Sequence, residues 1–372
     1  MKILYYGLDN MKHLGGIETF IINSIRNLNL KNYQVDFMSF NGETPCFYEE
    51  LKEYGCRFHF VRKRKENYLG NRKDIKELLS NNKYDIVHCH MNSLSYSTVI
   101  LIASKMGIPV IVHSHNSGNL QGIVSQTLHR LNSYRLLHKN VYRVAVSKEA
   151  GDWMFGRDSD YKIIKNGIDT SRFSYDSDKR INIRKELKIP DEAKVICHVG
   201  AFRKQKNHER IIEIFEDYLK KEQEAYLLLV GTGDLLSSIK EKVRADGVKE
   251  DRIKFLGVRN DVESILSGSD IFLFPSYYEG LPFSMVEAEC SGLQCVISDV
   301  ISDEAYIKEL CYPISLNSCN DIWVETLIKC VSNKKNRSNF MHKIDDIGYS
   351  VCNQVQQLMS LYDRIYLSNQ KG

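Results

Sequence analysis

Short apolar segments alternate with amphipathic segments along most of the chain. Residues 3–6 and 35–40 are apolar runs that predict buried strands, whereas residues 17–28 place apolar side chains at the spacing of a helix. The pattern continues to about residue 146 and starts again near residue 194. Alternation of this kind is typical of βαβ units around a parallel sheet. The remaining predicted strands are 85–89, 109–112, 143–146, 195–200, 226–231, 253–257, 271–274 and 294–298.

The two series of alternating segments predict an α/β protein with two domains. Polar residues dominate the stretch between the two series, and the boundary is placed at its beginning. We predict a first domain over 1–165, a second over 166–349 and a final amphipathic helix over 350–372. Ligands of open α/β sheets bind beyond the carboxyl ends of the strands, so the loops that follow the strands are the places to search for chemistry.

The composition excludes several classes of protein. A chain of 372 residues that is 43% hydrophobic and 26% charged is ordinary for a soluble globular protein. Its formal net charge of +4 is too small to indicate nucleic-acid binding. The N-terminal MKILYYG lacks the features of a signal peptide, and no apolar run is long enough to predict a membrane span.

The ten cysteines predict neither a disulfide framework nor a zinc site. They form no CxxC pair and no zinc-binding spacing with histidine. Several of them lie inside apolar strand patterns. We interpret them as reduced thiols that fill the cores of a cytosolic protein.

Two loops of the first domain carry candidate chemistry. Gly15 and Gly16 precede a helix, where backbone amides favour a phosphate, although a plain βα turn is the simpler interpretation. The strand at 109–112 runs into His113 and His115. We expect these two side chains to point to opposite sides, one packed and the other facing the cleft, and His115 is the better candidate for the cleft because it is closer to the loop. No third ligand follows at metal spacing, so no metal site is predicted.

The second domain opens with three cations between a strand and a helix. Arg203, Lys204 and Lys206 follow the strand at 195–200. Cations beside a helix N-terminus suit a diphosphate, although a solvated basic turn explains the same residues.

The segment 274–288 reads FPSYYEGLPFSMVEA and joins a strand to a helix. Gly280 permits a turn, and Pro282 suits the first turn of the helix, whose free amides would bind an anion. Glu279 stands in the loop and Glu287 lies about two turns into the helix. Each of these glutamates can also be an ordinary surface or helix carboxylate.

Glu279 and Glu287, embedded in PSYYEGLPFSMVEAECSG, strongly resemble the signature of the retaining glycosyltransferases of family 4. That family has the GT-B fold, in which two Rossmann-like domains face each other across a cleft. Further motifs agree in order along nearly the whole chain: GGIE at 15–18, HSHN at 113–116, VSK at 146–148, NGID at 166–169, GAFRKQKNH at 200–208, VGTGDL at 230–235 and SDIFLFPS at 269–276.

The resemblance implies a nucleotide-sugar donor, held mainly by the second domain, and a reaction that needs neither a metal nor another cofactor. By position, Glu287 would hold the ribose hydroxyls and Glu279 the hydroxyls of the donor sugar. Lys206 would neutralise the diphosphate, and His115 would lie beside the reacting sugar. The implied catalytic residues are His115, Glu279 and Lys206. The implied donor site comprises Gly15, Gly16, Arg203, Lys206, Glu279, Gly280, Leu281, Pro282, Phe283, Ser284 and Glu287. The final helix would cross back onto the first domain.

The chain departs from the family pattern at one position. Ala201 stands where the family usually has arginine directly after the glycine. Either Arg203 reaches the same phosphates with its five N–H donors, or Lys206 acts on them alone.

The acceptor is expected on the first domain, where the resemblance is low. Arg57 and residues 62–65 form a basic cluster that would suit either anionic lipid headgroups or a solvated loop. The resemblance implies a hexose or N-acetylhexosamine linked to UDP, the commoner nucleotide in this branch, or to GDP, and no residue of the sequence decides between the two. It also implies a glycan or lipid-diphosphate-linked acceptor, as in capsule or exopolysaccharide assembly. It also implies a location in the cytoplasm or at the inner face of the plasma membrane.

Two other functions stay open at this point. An epimerase acting on UDP-N-acetylglucosamine shares the architecture but lacks the paired glutamates. A non-catalytic accessory subunit is supported only by the alanine at Ala201.

Overall fold

The chain divides into two compact units in a computed structural model. The first unit consists of Met1–Gly167 and Ser350–Gly372, and the second of Ile168–Tyr349. The structure describes residues 1–8, 15–116, 118, 120, 122–137, 141–245, 250–279, 282–333, 335–337 and 340–370.

The first unit contains a seven-stranded parallel sheet. Its strands are β1 (Lys2–Tyr6), β2 (Gln34–Phe40), β3 (Arg57–Val61), β4 (Ile86–Met91), β5 (Val110–Ser114), β6 (Val141–Ala145) and β7 (Lys162–Ile163). Their order in the sheet is β3-β2-β1-β4-β5-β6-β7. The helices of this part of the chain are α1 (Gly16–Asn27), α2 (Tyr48–Glu53), α3 (Tyr68–Asn82), α4 (Thr98–Lys105), α5 (Ile123–Leu137) and α6 (Lys148–Phe155).

The second unit repeats this architecture with six parallel strands. They are β8 (Lys194–Val199), β9 (Ala225–Val230), β10 (Ile253–Gly257), β11 (Ile271–Phe274), β12 (Gln294–Ser298) and β13 (Cys311–Ile314), in the order β10-β9-β8-β11-β12-β13. The α-helices are α7 (Thr170–Phe173), α8 (Ser177–Glu186), α9 (His208–Lys221), α10 (Leu236–Ala245), α11 (Val262–Gly268), α12 (Phe283–Cys290), α13 (Asn320–Ser332) and α14 (Met341–Asp346). Short 3₁₀ turns cover Lys204–Lys206, Glu250–Arg252 and Asp303–Ala305.

The central strands are buried on both faces, which explains their continuous apolar sequence. Every residue of β9 and of β11 is buried, because helices cover both sides of the sheet. Helix α9 contributes one apolar face, with Ile211, Phe215 and Tyr218 in the core. This buried face explains why apolar residues recur with a 3.6-residue period in this part of the sequence.

The last helix, α15 (Val351–Asn369), belongs to the first unit. Its buried face, which includes Val355, Leu358 and Tyr362, packs into the same apolar cluster as Phe20 of α1. The buried amide of Gln354 donates to the Phe20 carbonyl and to Ser24 Oγ, and its oxygen accepts from the Gly167 amide. Both ends of this buried polar side chain are thus satisfied.

Gly167 lies where the chain leaves the first unit, and only glycine fits there. A Cβ at this position would lie 2.4 Å from the Ser350 backbone. Gly167 and Ser350, both of the first unit, therefore lie main chain against main chain.

The cysteines occur as free thiols, as the sequence predicted. Eight of the ten are buried, and only Cys319 and Cys352 are exposed. None of the described helices is both long and apolar enough to cross a bilayer.

Candidate active site

The candidate residues follow the carboxyl ends of strands beside the point where each strand order reverses. That point lies between β1 and β4 in the first sheet and between β8 and β11 in the second. Lys206 follows β8 and Glu279 follows β11. A crevice at this position is where open α/β sheets bind their ligands.

Lys206 and Glu279 form an ion pair at this edge of the second sheet. Lys206 Nζ lies 2.8 Å from Glu279 Oε1, and the side chains are only 16% and 5% exposed. The ammonium also lies 4.6 Å from the centre of the Phe274 ring. Gly200 leaves space for the lysine stem, since a Cβ there would lie 3.3 Å from Lys206 Cδ. The sequence-predicted cation and carboxylate are therefore in direct contact.

Gln205 ties the two loops of this edge together, and sequence reasoning missed it. Its side-chain amide donates to the Tyr278 carbonyl at 2.9 Å and to Glu279 Oε2 at 3.3 Å. The main-chain carbonyl of Gln205 accepts from the Tyr277 backbone amide at 2.9 Å. The glutamine lies inside the quoted GAFRKQKNH motif, next to Lys206, and this position is the signal that could have found it.

Arg203 lies before the 3₁₀ turn and is exposed. Its side chain makes no hydrogen bond or ion pair with another residue that the structure describes. Ala201, in the same loop, is half-buried. The arginine is thus available to an anion at this edge, whereas the alanine offers only its backbone.

Glu287 lies on α12 and is half-buried without a hydrogen-bond partner among the described residues. Burial raises the pKa of its carboxyl to about 8, Arg172 opposes this rise, and Glu263 adds to it. Arg172 and Glu263 are themselves paired at 2.9 Å. The raised pKa favours the protonated carboxyl at neutral pH. The hydrogen-bonding capacity of this carboxyl is left for a ligand.

The start of α12 supplies the amides that the sequence predicted. Pro282 is the N-cap residue, and Phe283 and Ser284 form the first turn. First-turn amides have no partner inside a helix and favour an anion. Gly280 and Leu281, the two remaining predicted residues of this loop, lie outside the described residues.

In the first unit, Gly15 and Gly16 begin α1. Gly15 is the N-cap residue, and its amide donates to Glu18 Oε2 at 2.9 Å. The carboxylate of the buried Glu18 therefore already accepts a hydrogen bond from one of the amides that a phosphate would use. Gly16 is exposed at the first helical position, and its amide belongs to the unpaired first turn.

The histidines of the first unit do not point apart. His113 and His115 were expected on opposite sides of the strand, and this is wrong, because residues two apart on a strand share one face. Their ring centres lie 4.4 Å apart. His113 is fully buried in β5, and His115, just beyond it, is half-buried.

Two further histidines on β4 complete a cluster that sequence reasoning missed. His90 Nδ1 lies 3.0 Å from His115 Nε2, and His88 Nε2 lies 3.2 Å from His113 Nδ1. His88 also contacts the Tyr362 hydroxyl at 2.7 Å. The signal was two H-x-H patterns, HCH and HSH, on consecutive strands that pair side by side.

Desolvation keeps all four imidazoles neutral. The pKa values of His88, His90 and His113 lie well below the ordinary range because the rings are fully buried. Burial lowers the pKa of His115 to about 3. The residue that the resemblance places beside the sugar is therefore an uncharged hydrogen-bonding group at physiological pH.

Three of these histidines also meet the geometric condition for holding a metal. Nitrogen atoms of His88, His90 and His113 lie within 4.8 Å of one another. The hydrogen bond between His88 and His113, however, already uses one nitrogen of each ring. The neighbours of the cluster are aromatic, including Tyr5 and Phe20. The geometry is therefore accounted for by hydrogen bonding and packing within the cluster.

The basic cluster at 62–65 is largely engaged with partners in the first unit. Arg62 makes a bidentate contact with Asp74, and Lys63 Nζ lies 3.1 Å from Glu43. Arg64 lies over a tyrosine ring. Lys65 is exposed.

Comparison with known proteins identifies both halves of the chain. Residues 14–172 match the family described as Glycosyltransferase Family 4, and residues 179–341 match the family described as Glycosyl transferases group 1. EpsF of Bacillus subtilis (strain 168) is 28% identical over 361 residues, which cover 94% of this chain and 93% of EpsF. The UDP-Gal:alpha-D-GlcNAc-diphosphoundecaprenol alpha-1,3-galactosyltransferase of Escherichia coli is 27% identical over 318 residues, covering 78% of this chain and 79% of that enzyme.

The fold is shared with solved structures. HepE of Anabaena, crystallised in complex with UDP, superposes with a TM-score of 0.79 at 17% identity, over 98% of this chain and all of that chain. Two parallel sheets with alternating helices, together with this likeness, assign the chain to the GT-B fold. The chain therefore belongs to the family 4 glycosyltransferases, with a group 1 glycosyltransferase domain as its second unit.

Proposed function

We propose that the chain is a retaining glycosyltransferase that moves a hexose or N-acetylhexosamine from a UDP-linked donor to a hydroxyl of a glycan or lipid-linked acceptor. The observation that carries this proposal is the pair of Lys206 and Glu279 at the carboxyl edge of the second sheet. A cation and a carboxylate held together there offer one group to a diphosphate and one to sugar hydroxyls.

Lys206 stabilises the leaving group in this proposal. Its ammonium exchanges the Glu279 carboxylate for the donor diphosphate, and the amides at the start of α12 face the same charge. Negative charge on the diphosphate grows as the C1–O bond breaks, so these groups stabilise the transition state more than the ground state. Arg203 is exposed in the same loop. We propose that it takes the role of the arginine that the family usually has at the position of Ala201.

The transfer is proposed to occur on one face of the sugar. The acceptor hydroxyl attacks C1 from the side that the diphosphate leaves, and the departing phosphate oxygen takes the hydroxyl proton. One C–O bond forms, one breaks, and UDP carries the proton away. Neutral His115 donates or accepts a hydrogen bond beside the sugar without adding charge. Because Lys206 and helix amides supply the positive charge, we propose that no divalent metal is required.

The donor and acceptor are proposed from the relatives. The Escherichia coli relative is named for a UDP-linked galactose and a diphosphoundecaprenol-linked acceptor, and the Anabaena structure contains UDP. A UDP-sugar donor, a lipid-diphosphate-linked acceptor and a place in cell-surface polysaccharide assembly follow for this chain as a proposal.

The first test is calorimetric titration of the full chain with a panel of UDP- and GDP-sugars. We expect one UDP-sugar to bind, with binding lost in Glu287→Ala and retained in Glu241→Ala, which removes an exposed glutamate of the same unit. Absence of binding to every donor by folded protein would contradict the proposal and favour an accessory subunit.

The second test concerns the course of the reaction. With an acceptor present, the anomeric proton of the product is expected to show the donor's configuration, and turnover is expected to persist in excess EDTA. A covalent sugar–protein adduct detected by mass spectrometry would contradict the same-face course. Release of an epimerised sugar without an acceptor would indicate an epimerase instead.

Membrane contact is proposed for the first unit, with the chain in the cytoplasm or at the inner face of the plasma membrane. Arg57 and Lys65 are exposed cations of the basic cluster. Helix α5 offers a second surface, on which Ile123, Leu131 and Tyr134 are each more than half exposed. Such faces favour anionic interfaces.

Sedimentation with anionic and zwitterionic vesicles tests this contact. We expect binding to anionic vesicles only, weakened in Arg57→Glu/Lys65→Glu. Binding that is instead lost in Leu131→Glu would assign the contact to α5, and no binding to either vesicle would contradict the proposal.

A further inference from the structure

His198 lies near the end of β8, and its side chain is fully buried. Burial holds the pKa of the ring well below its ordinary range, so the imidazole is neutral. Its Nδ1 lies 2.9 Å from the main-chain carbonyl oxygen of Leu273 on β11. A carbonyl only accepts hydrogen bonds, so Nδ1 carries the proton and Nε2 presents a lone pair. This Nε2 is buried and has no hydrogen-bond partner among the described residues.

The unused acceptor of His198 faces the stem of Lys206. A Cβ added to Gly200 would lie 2.9 Å from His198 Nε2 and 3.3 Å from both Cδ and Cε of Lys206. Both side chains also border the Phe274 ring, whose centre lies 5.5 Å from the His198 ring centre and 4.6 Å from the Lys206 ammonium. The point that Gly200 keeps open therefore lies between a bare acceptor and the stem of a cation.

The other groups that pack on the His198 ring are aromatic. Phe272 and Phe274 lie nearly parallel to it and carry no polar hydrogen. His208 meets the ring edge-on with the centres 4.9 Å apart, but neither nitrogen of His208 has a hydrogen-bond partner among the described residues. Lys206 is the neighbour with N–H groups to offer, because its ion pair uses only one of the three on an ammonium.

We infer that His198 is a positioning residue, whose Nε2 accepts a hydrogen bond from the Lys206 ammonium when the donor diphosphate draws that ammonium away from Glu279. The inference rests on the proposed transferase function and deepens it by adding a residue to the donor edge. The exchange frees the Glu279 carboxylate for the hydroxyls of the donor sugar. The protons stay on Nδ1 of the imidazole and on the lysine throughout.

The neutral charge of His198 is what suits it to this position. A carboxylate partner neutralises much of the charge of an ammonium at contact distance, whereas an uncharged imidazole orients the ammonium and leaves its charge for the diphosphate. A buried acceptor without a donor also costs free energy, which is regained when the ammonium arrives. The hydrogen bond gained at His198 therefore offsets the contact that Lys206 gives up at Glu279.

Calorimetric titration of the full-length chain with UDP and with uridine tests this role. Uridine lacks the diphosphate, so the ratio of the two affinities reports the contacts of the diphosphate alone. His198→Phe keeps a buried ring and removes the acceptor. We expect it to weaken UDP about fivefold or more and to leave uridine within about twofold, because one hydrogen bond to a charged group is lost. Equal weakening of both ligands would indicate a structural role and overturn the inference.

Three further variants identify the partner of His198. His198→Gln places an amide oxygen near the original Nε2 and is expected to restore most of the affinity ratio. His208→Phe is expected to leave the ratio within about twofold, and a loss as large as that in His198→Phe would make His208 the partner instead. In a chain that already carries Lys206→Met, His198→Phe is expected to cause no further loss of UDP affinity. Additive losses would overturn the inference.

The ¹⁵N resonance of His198 Nε2 reports the hydrogen bond directly. The resonance is assigned by its absence from the spectrum of His198→Gln. Saturation with UDP is expected to shift it to lower frequency, as for an imidazole nitrogen that gains a hydrogen-bond donor, and Lys206→Met is expected to abolish the shift. UDP that binds the wild-type chain without moving this resonance overturns the inference alone. Failure of UDP to bind the folded wild-type chain contradicts the proposed function itself.

Discussion

The two sheets share one topology but carry opposite chemistry at their carboxyl edges. In the second unit, the edge holds a largely buried ion pair between Lys206 and Glu279. In the first unit, it holds four imidazoles that burial keeps neutral, with His115 at the end of the row. The same βαβ framework therefore presents fixed charge on one sheet and uncharged hydrogen-bonding groups on the other.

The difference shows how the proposed reaction divides its work. A departing diphosphate needs positive charge that is already in place, which the second unit supplies. A sugar carbon that becomes electron-poor would be disfavoured by a nearby cation, so an uncharged imidazole suits the first unit better. The comparison predicts that charge changes matter most in the second unit and geometry changes most in the first.

The largest expected effect is the loss of the Lys206 ammonium. Lys206→Ala is expected to lower the rate of sugar transfer by about 100- to 1000-fold, the usual cost of removing one preorganised group that stabilises developing charge. Lys204→Ala removes an exposed lysine of the same turn and serves as the matched control. Steady-state assays of both variants measure the effect, and an equal loss in both would contradict a specific role for Lys206.

The next effect concerns the pH dependence of nucleoside binding. The pKa of Glu287 is raised to about 8, so the carboxyl is protonated below that pH in the free protein. Ribose hydroxyls donate best to the carboxylate, so affinity is expected to rise as the pH increases from 6 to 8. Uridine is the probe for calorimetry, because it has no phosphate and its uracil N3–H stays largely protonated over this range.

Glu287→Gln removes the titrating group and keeps the size of the side chain. Its uridine affinity is expected to be about tenfold lower than that of the wild type at pH 8 and to vary little between pH 6 and 8. A wild-type affinity that stays constant across this range would contradict the assignment of the ribose to Glu287.

The framework and the donor edge could be predicted from the sequence because their signals are local. Apolar runs such as 271–274 gave strands within a residue or two, because such runs are buried on both faces. Glu279 and Glu287 belong to one short segment that joins a strand to a helix. The relation between such residues is set by a single loop, so spacing alone carries the information.

The other edge could not be predicted, because its residues meet only after the sheet forms. His90 and His115 become neighbours because β4 and β5 pair side by side. Tyr6 and Phe40, at the ends of β1 and β2, line one cavity together with Tyr96, which follows β4. Residues 57–61 form the edge strand β3, which the sequence pattern did not predict. An edge strand carries polar and charged side chains, so its sequence lacks a continuous apolar run. Which residues become neighbours across a sheet depends on how the strands pair, and no single stretch of sequence contains that information.

A smaller effect is expected from His90, which holds the ring of His115. His90→Phe keeps an aromatic ring but removes the hydrogen bond to His115 Nε2. We expect kcat to fall about tenfold with the KM for the donor unchanged, as when an outer hydrogen-bonding partner of a functional histidine is lost. His90→Asn places a polar atom near the original Nδ1 and is expected to restore part of kcat. A change in donor KM alone would contradict a positioning role.

The smallest effect lies at the ion pair that holds the end of β3. Asp74 accepts from both the side chain and the backbone amide of Arg62, and these contacts lower its pKa to about 2. Asp74→Asn is expected to lower the local free energy of opening by about 1 kcal/mol at pH 7. Hydrogen exchange in the segment 57–74, read by mass spectrometry, would then be about fivefold faster than in the wild type.

The sign of the pH dependence makes this prediction specific. A carboxyl whose pKa is lowered on folding adds stability above its ordinary value of 3.8, and this contribution is lost as the pH falls toward 2. The ratio of variant to wild-type exchange should therefore approach one over that range. Glu77→Gln changes an exposed glutamate of the same helix that pairs with Lys73 and should leave exchange nearly unchanged. A ratio that does not depend on pH would mean that Asp74 acts through packing and not through its charge. Stability of the first unit would then depend on geometry, as its proposed part in catalysis does.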